Sequence, residues 1–261
     1  MKVNRHPVRV IVRLDIKGRK LVKGVNLEGL RVIGDPIDFI RRYIEMDADE
    51  IVIIDINANL YGFEHDYEYL SEISSHVNIP ITVGGGVRTI EHFEKVLKAG
   101  ADKVSANTVF TDKPEMISEF ARIFGRQAVV LYVESKFQGG GTFNDGTYRA
   151  YTENGRSRTN LIVEEWVEQA QDLGCGEVIL TSIDAEGREE GFDEEIISRV
   201  VKRLKVPLVI SGGYGRPEHL DILTQDHIDG LAIATTFHYG RATVKEIKDC
   251  LHKKGLTVRY A

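Results

Sequence analysis

The chain has 261 residues, 42% of them hydrophobic, and its 34 basic against 40 acidic residues leave a formal net charge of -6. That length fits two ordinary domains or one α/β barrel of roughly 250 residues. The charge excludes a basic field for holding nucleic acid or an anionic membrane, so an anionic ligand must be gripped locally.

Charges interrupt the apolar stretch of the opening MKVNRHPVRVIVRLDIKG, and no later window approaches eighteen apolar residues, so a cytoplasmic protein is expected. Cys175 and Cys250 are too isolated for a disulfide framework or a CxxC metal site and read as buried or incidental thiols.

In chain order, β-rich apolar runs fall at 8–16, 49–57, 79–86, 101–107, 127–135, 176–184, 206–213 and 228–235. Between them lie segments such as PIDFIRRYIEM, TIEHFEKVLKAG, KPEMISEFARIFG and LIVEEWVEQAQDLG, whose apolar residues recur at three and four, the spacing of amphipathic helices. Strands buried on both faces and joined by crossover helices imply a parallel sheet. Eight such units in this length predict an α/β protein with a closed (β/α)8 TIM barrel rather than an open sheet.

The chain also repeats itself. An offset of 127 carries Gly85 onto Gly212, Gly86 onto Gly213, Asp102 onto Asp229, Thr108 onto Thr235 and Ala58 onto Ala185. Asp15 and Lys17 meet Glu134 and Lys136 at an offset of 119, and the difference of eight falls where FQGGGTFNDGTYRAYTENG lengthens the second half. A single barrel domain spanning 1–261, built of halves about 1–125 and 126–261, is the expectation. The long second-half insertion reads as a mobile hairpin or lid near strand five.

The repeat doubles a glycine turn, ITVGGGVR at 81–88 and LVISGGYGR at 208–216, each ending in a basic residue. Glycines after a strand at the C-terminal mouth of a barrel let backbone N–H groups converge on an oxyanion. Gly85 and Gly86 with Asn107 and Thr108 form one candidate phosphate site; Ser211, Gly212 and Gly213 with Ala234 and Thr235 form the other. Two such sites across one mouth imply a phosphorylated small molecule carrying phosphate at both ends. Between them, Asp15 and Glu134 end opposed strands, where a carboxylate suits general acid or base work. Lys17 and Lys23 lie on the loop after strand one, either closing over substrate or forming a solvated charged loop.

The stretches LDIKGRKLVKGVNLEGLRVIGDP, DEIVIIDINA, VGGGVR, GADKVSANT, FGRQAVV, GEVILTSID, SGGYGR and FHYG, in that order, resemble the HisF family, the cyclase subunit of imidazole glycerol phosphate synthase. The resemblance implies a barrel in a heterodimer with a HisH-like glutaminase subunit that supplies ammonia. With it, the barrel would convert a bisphosphorylated phosphoribulosyl-formimino aminoimidazole carboxamide ribonucleotide into imidazole glycerol phosphate and aminoimidazole carboxamide ribonucleotide (AICAR), as in histidine biosynthesis, with no metal and no organic cofactor. It assigns Asp15 as a catalytic carboxylate, Lys23 to a mobile loop, and the two glycine turns to phosphate. It also implies an ammonia gate of Arg9, Glu50, Lys103 and Glu177 at the N-terminal end of the barrel, with Asp102 facing the glutaminase. A stabilising set of salt bridges is the plainer reading of that ring. Asp55, Thr181, Glu186 and Arg188 fall in the implied substrate pocket.

The departures cluster on the substrate side. Glu134 stands where the family has its second catalytic aspartate, and Arg13 replaces a small cysteine two residues before Asp15, where pairing with Glu134 would lower that acid's pKa. Glu186 and Arg188 replace an aspartate and a small hydroxyl, while Asn57 and Asn59 replace hydroxyl residues. Two further readings therefore stand beside the cyclase. One is a HisF-like paralogue relaying ammonia for amidation of a surface sugar, and the other a phosphosugar isomerase of the related two-carboxylate barrels.

Overall fold

A computed structural model describes residues 6–56, 58, 63–140, 143–225 and 228–260, so Asn57 and Asn59 lie outside the described residues. Twelve strands are assigned within them: β1 Arg9–Lys17, β2 Lys20–Val25, β3 Glu28–Gly34, β4 Glu50–Asp55, β5 Ile81–Gly84, β6 Lys103–Ala106, β7 Val129–Gly140, β8 Phe143–Thr152, β9 Ser157–Ile162, β10 Glu177–Ser182, β11 Leu208–Ser211 and β12 Gly230–Ile233. Eight of these, β1, β4, β5, β6, β7, β10, β11 and β12, pair in parallel, and contact between β7 and β10 closes the cylinder. The (β/α)8 TIM barrel expected from the alternation of strand and helix patterns is therefore present, and its eight strands are the eight apolar runs.

The sequence produces this cylinder because its strands bury both faces. Every residue of β4, β5, β10, β11 and β12 is buried. One set of side chains meets the surrounding helices, where Phe93, Phe120 and Trp166 fill the outer layer. The alternate set points inward and makes a second core of Ile11, Val52, Ile54, Val130, Tyr132, Ile179, Val209 and Ala232. The helices start where the sequence supplies caps. Asp35, Asp66, Thr89 and Asp193 each accept a first-turn N–H, and Thr243 forms a reciprocal capping box with Glu246.

Three aspartates fix strand starts in the same way. Val10 N–H donates to Asp49 at 2.7 Å, Ile81 N–H to Asp102 at 2.8 Å and Leu208 N–H to Asp229 at 2.9 Å. Each carboxylate lies just before one strand and holds the beginning of its neighbour. Asp102, assigned by resemblance to a glutaminase contact, thus has a structural task shared with its counterpart Asp229.

Two excursions depart from the plain barrel. The segment after β1, read from sequence as a loop, folds into β2 and β3, with β2 antiparallel to the upper end of β1 through the pair Asp15↔Val22. The second-half insertion extends β7 beyond the barrel into an antiparallel sheet with β8 and β9. Between β8 and β9 the chain turns through three left-handed residues, Glu153, Asn154 and Gly155 (φ 55°, 56° and 75°), and comes back over the mouth. Two consecutive non-glycine residues in that region store strain, a pattern that gathers at functional sites.

Candidate active site

At the N-terminal end, the alternation of inward side chains brings Arg9, Glu50, Lys103 and Glu177 into one closed ring. Arg9 pairs with Glu50 at 2.8 Å and with Glu177, while Lys103 bridges Glu50 at 2.6 Å and Glu177 at 2.5 Å. Burial pushes the Glu177 carboxyl up, but Lys103 and Arg9 outweigh it and hold it below the ordinary range. Thr82 adds a hydroxyl donor to Glu50 at 2.7 Å. Above the ring lies the inner core, largely apolar, which a small neutral molecule crosses at far lower cost than an ion.

At the opposite end, two glycine turns follow β5 and β11. Gly85 and Gly212 share a φ of 90°, and Gly86 and Gly213 lie at 69° and 107°. The positive φ is one reason for glycine here; the other is space, because a Cβ on Gly86 would sit 2.7 Å from the Ala58 carbonyl oxygen. The two turns are alike in backbone and unlike in surroundings.

The first turn opens on a cavity of about 330 Å³, lined by Gly85, Gly86, Asn107 and Thr108 and also by Arg88, Lys113, Tyr132, Glu134, Glu153 and Asn154. The hydroxyls of Ser105 and Thr108 are buried beside it with no hydrogen-bond partner among the described residues. A buried orphan hydroxyl is costly unless a ligand or water completes it. This cavity therefore has the donors, the backbone turn and the flanking cations that a phosphate requires.

The second turn is almost filled. Only about 10 Å³ remains between Gly212, Gly213, Ala234, Thr235 and the Glu186 side chain, space for at most a single water. Ser211 sits beneath it and accepts a long contact from Arg13 at 3.4 Å. Thr235 also borders an open groove on the surface side, with Lys23, Arg31 and Arg241.

Between the turns stand the two carboxylates, each 3% exposed. Asp15 Oδ1 accepts from Arg13 Nε at 2.9 Å. Glu134 Oε2 accepts from the Gly155 N–H at 2.9 Å and from the Asn107 amide at 3.2 Å. Burial pushes Glu134 up to about 7; the Asp15 charge adds to the rise, whereas Gly155 and Arg13 oppose it. The expected Arg13 partner was Glu134 and the expected shift was downward. The guanidinium instead binds Asp15 and lies 3.6 Å from Glu186, leaving Glu134 dominated by desolvation.

The other sequence-derived candidates divide. Lys23 is brought in, 3% exposed and bonded to Glu186 at 2.6 Å, so the solvated-loop reading fails for it. Lys17 is exposed at the end of β1. Arg188 is half exposed and pairs with Glu190 at 2.8 Å, away from the mouth lining. Asp55 accepts from the Ala58 N–H at 3.1 Å and fastens the turn after β4, while the Thr181 hydroxyl donates to Tyr132 at 3.2 Å in the barrel interior. His238, beside the second turn, shares a 2.6 Å hydrogen bond with Tyr43 and is driven down to about 3 by burial and Lys23, which leaves it neutral at physiological pH.

Sequence reasoning did not reach Tyr132, Lys113, Glu153 or Asn154. Tyr132 had a readable signal, lying two residues before Glu134 on one strand face. Glu153 and Asn154 had none, since only the fold-back of β8 and β9 brings them to the cavity.

A family model described as "Histidine biosynthesis protein" matches residues 9–243. The chain belongs to the HisF family of histidine biosynthesis proteins. It is 42% identical over 252 residues to "Imidazole glycerol phosphate synthase subunit HisF" of Thermobifida fusca, covering 97% of this chain and 98% of the relative. Proteins of the same name from Metallosphaera sedula and Methanopyrus kandleri are 41% and 39% identical, each covering 96% of this chain and 98% and 97% of their own lengths. Each of these relatives is named as a subunit. Among the described residues no helix is long and apolar enough to cross a bilayer.

Proposed function

We propose that this chain is the ammonia-using cyclase subunit of an imidazole glycerol phosphate synthase. The reading has it convert the bisphosphorylated phosphoribulosyl-formimino ribonucleotide into imidazole glycerol phosphate and AICAR. The single observation that carries this is the mouth itself, a phosphate-suited cavity whose wall includes Glu134 and whose neighbour across the barrel is Asp15. Full-length similarity to relatives named as this synthase subunit favours the cyclase over ammonia relay to a sugar or isomerisation of a phosphosugar.

In this reading Gly85, Gly86, Asn107 and Thr108 hold one phosphate of the substrate, with Arg88 and Lys113 supplying charge. Ammonia enters through the ring of Arg9, Glu50, Lys103 and Glu177 from a HisH-like glutaminase bound at that end, and crosses the inner core as the neutral molecule. Asp15, fixed by Arg13, takes a proton as the ammonia nitrogen adds to the ribulosyl carbonyl, whose oxygen leaves as water during ring closure. Glu134, whose pKa of about 7 keeps much of it protonated at neutral pH, donates one to the departing amine of AICAR. The barrel forms one domain of two related halves, and the protein works in the cytoplasm.

The test is product identification. Incubation of the ribonucleotide with the chain and ammonium salt is expected to give imidazole glycerol phosphate and AICAR in equal amounts by chromatography. Unchanged substrate at millimolar ammonia and high protein concentration would remove the proposal.

A further inference from the structure

The two glycine turns match in backbone, yet one opens on about 330 Å³ and the other on about 10 Å³. One contributor to the difference is a buried carboxylate. Glu186, 3% exposed, directs its carboxylate to the second turn, where Oε2 lies 3.1 Å from the position a Cβ on Gly212 would take. Lys23 Nζ grips Oε1 at 2.6 Å, and the Arg13 guanidinium faces Oε2 at 3.6 Å. A buried carboxylate between an ammonium, a guanidinium and a glycine turn has the partners that a phosphate would have there. Burial alone pushes Glu186 up, but Lys23 and Arg13 outweigh it and leave it at about 2, so the stand-in is charged throughout the physiological range.

The arrangement is also strapped shut. Asn26, on the turn between β2 and β3, donates its backbone N–H to the Glu186 carbonyl at 2.8 Å and its side-chain amide to the Ile183 and Asp184 carbonyls at 2.6 and 3.1 Å. A Cβ on Gly187 would sit 2.7 Å from the Gly24 carbonyl oxygen, so the hairpin lies directly against this turn. Lys23 belongs to the same hairpin. Of the cations that border Thr235, Lys23 is therefore already bound to Glu186, and Arg241 is paired with Glu189.

We propose that Glu186 is a specificity-determining residue: its carboxylate occupies the second anion turn, so that the chain holds one phosphate, at the first turn, until a ligand carrying a second anion displaces it from Lys23 and Arg13. This deepens the cyclase reading and rests on it only for the identity of the displacing ligand. A substrate with phosphate at both ends then binds by exchange, its second phosphate taking over Lys23 as Glu186 withdraws. A ligand with one phosphate binds the first turn and leaves the hairpin strapped.

The experiment is a titration of the full chain with inorganic phosphate, read at the amide resonances of Gly85 and Gly86 against those of Gly212 and Gly213. In the parent, saturable shifts are expected at the first pair alone. In Glu186→Ala the second pair is expected to respond as well, with an affinity within about tenfold of the first, and Thr235→Val in that background removes the new response. Should the loss of Glu186 prevent folding, Glu186→Asp draws the carboxylate back by one methylene and keeps an anion for Lys23 and Arg13. It is expected to give a saturable response at the second pair that the parent lacks. Equal responses at both turns of the parent, or a second turn that stays silent in every folded Glu186 variant, would overturn the proposal. No turnover is measured, so failure of the cyclase reading leaves this result standing and the reverse is also true.

Discussion

The Gly155 N–H donates to Glu134 Oε2 at 2.9 Å, joining positions 21 residues apart and bringing the β8–β9 turn to the mouth of the barrel. The bond explains why the second-half insertion returns to the barrel instead of projecting away. It gives Glu134 a fixed acceptor geometry, while burial keeps its proton on to about pH 7. The carboxylate at the end of the longer glutamate side chain thus has a backbone donor that fixes its position.

Glu134 sets a pH dependence of defined sign. At constant free ammonia, kcat/KM is expected to fall as pH rises through about 7, where Glu134 loses the proton it must donate. Glu134→Gln is expected to lower turnover by about 10² to 10⁴-fold and to abolish that limb. Because the folded pKa lies above the unfolded value, stability linked to this proton is present below about pH 4.5 and is lost as pH rises to about 7. The loss is on the order of 3 kcal/mol. Urea midpoints of parent and Glu134→Gln compared between pH 5 and 8 check it, and a gap that does not change with pH contradicts the assignment.

Arg13 is fully enclosed at 2% exposure and serves Asp15 and Glu186 together. Arg13→Ala strips a cation from two buried carboxylates and is expected to cost about 3–5 kcal/mol of stability, measured by chemical denaturation. The double change Arg13→Ala with Glu186→Ala is expected to recover part of that loss, since it removes one of the stranded anions. Strict additivity of the two single effects would show that the residues do not interact.

In the ring, Lys103 supplies two of the four ion pairs. Lys103→Ala leaves Arg9 alone between Glu50 and Glu177 and opens the entrance. With ammonium salt, turnover is expected to stay within about twofold of the parent. With glutamine and a partner glutaminase, the glutamine hydrolysed per product formed is expected to rise well above one. A ratio that remains at one would return the ring to a purely stabilising role.

Much of this architecture was readable because period and spacing are local properties. The run EIVIID could only be a strand buried on both faces, and GGGVR after ITV could only be a turn, so β4, β5 and their equivalents stood out. The opposed positions of Asp15 and Glu134 followed from the repeat. What escaped depends on tertiary partners. Nothing near Arg13 in sequence says that it chooses Asp15 and Glu186 over Glu134, because Glu186 reaches it across 173 residues of chain. The loop reading of residues 20–34 missed a hairpin whose alternation in KLVKGV is broken by Gly24, and the filling of the second turn cannot be seen in SGG, which reads the same whether open or closed. Asp102 illustrates the opposite case. Its match with Asp229 at an offset of 127 was visible, and the shared strand-fastening role explains that match without a partner protein.

In the cyclase reading this mouth performs proton transfer on a bisphosphorylated ribonucleotide. The most direct measurement is the loss of that substrate's absorbance under saturating ammonium near pH 7, in the parent and in Asp15→Asn side by side. The account predicts steady turnover by the parent and a fall of at least about 100-fold in Asp15→Asn, with substrate still bound. Equal rates in the two proteins, or a parent that binds the ribonucleotide and leaves it intact, would contradict it.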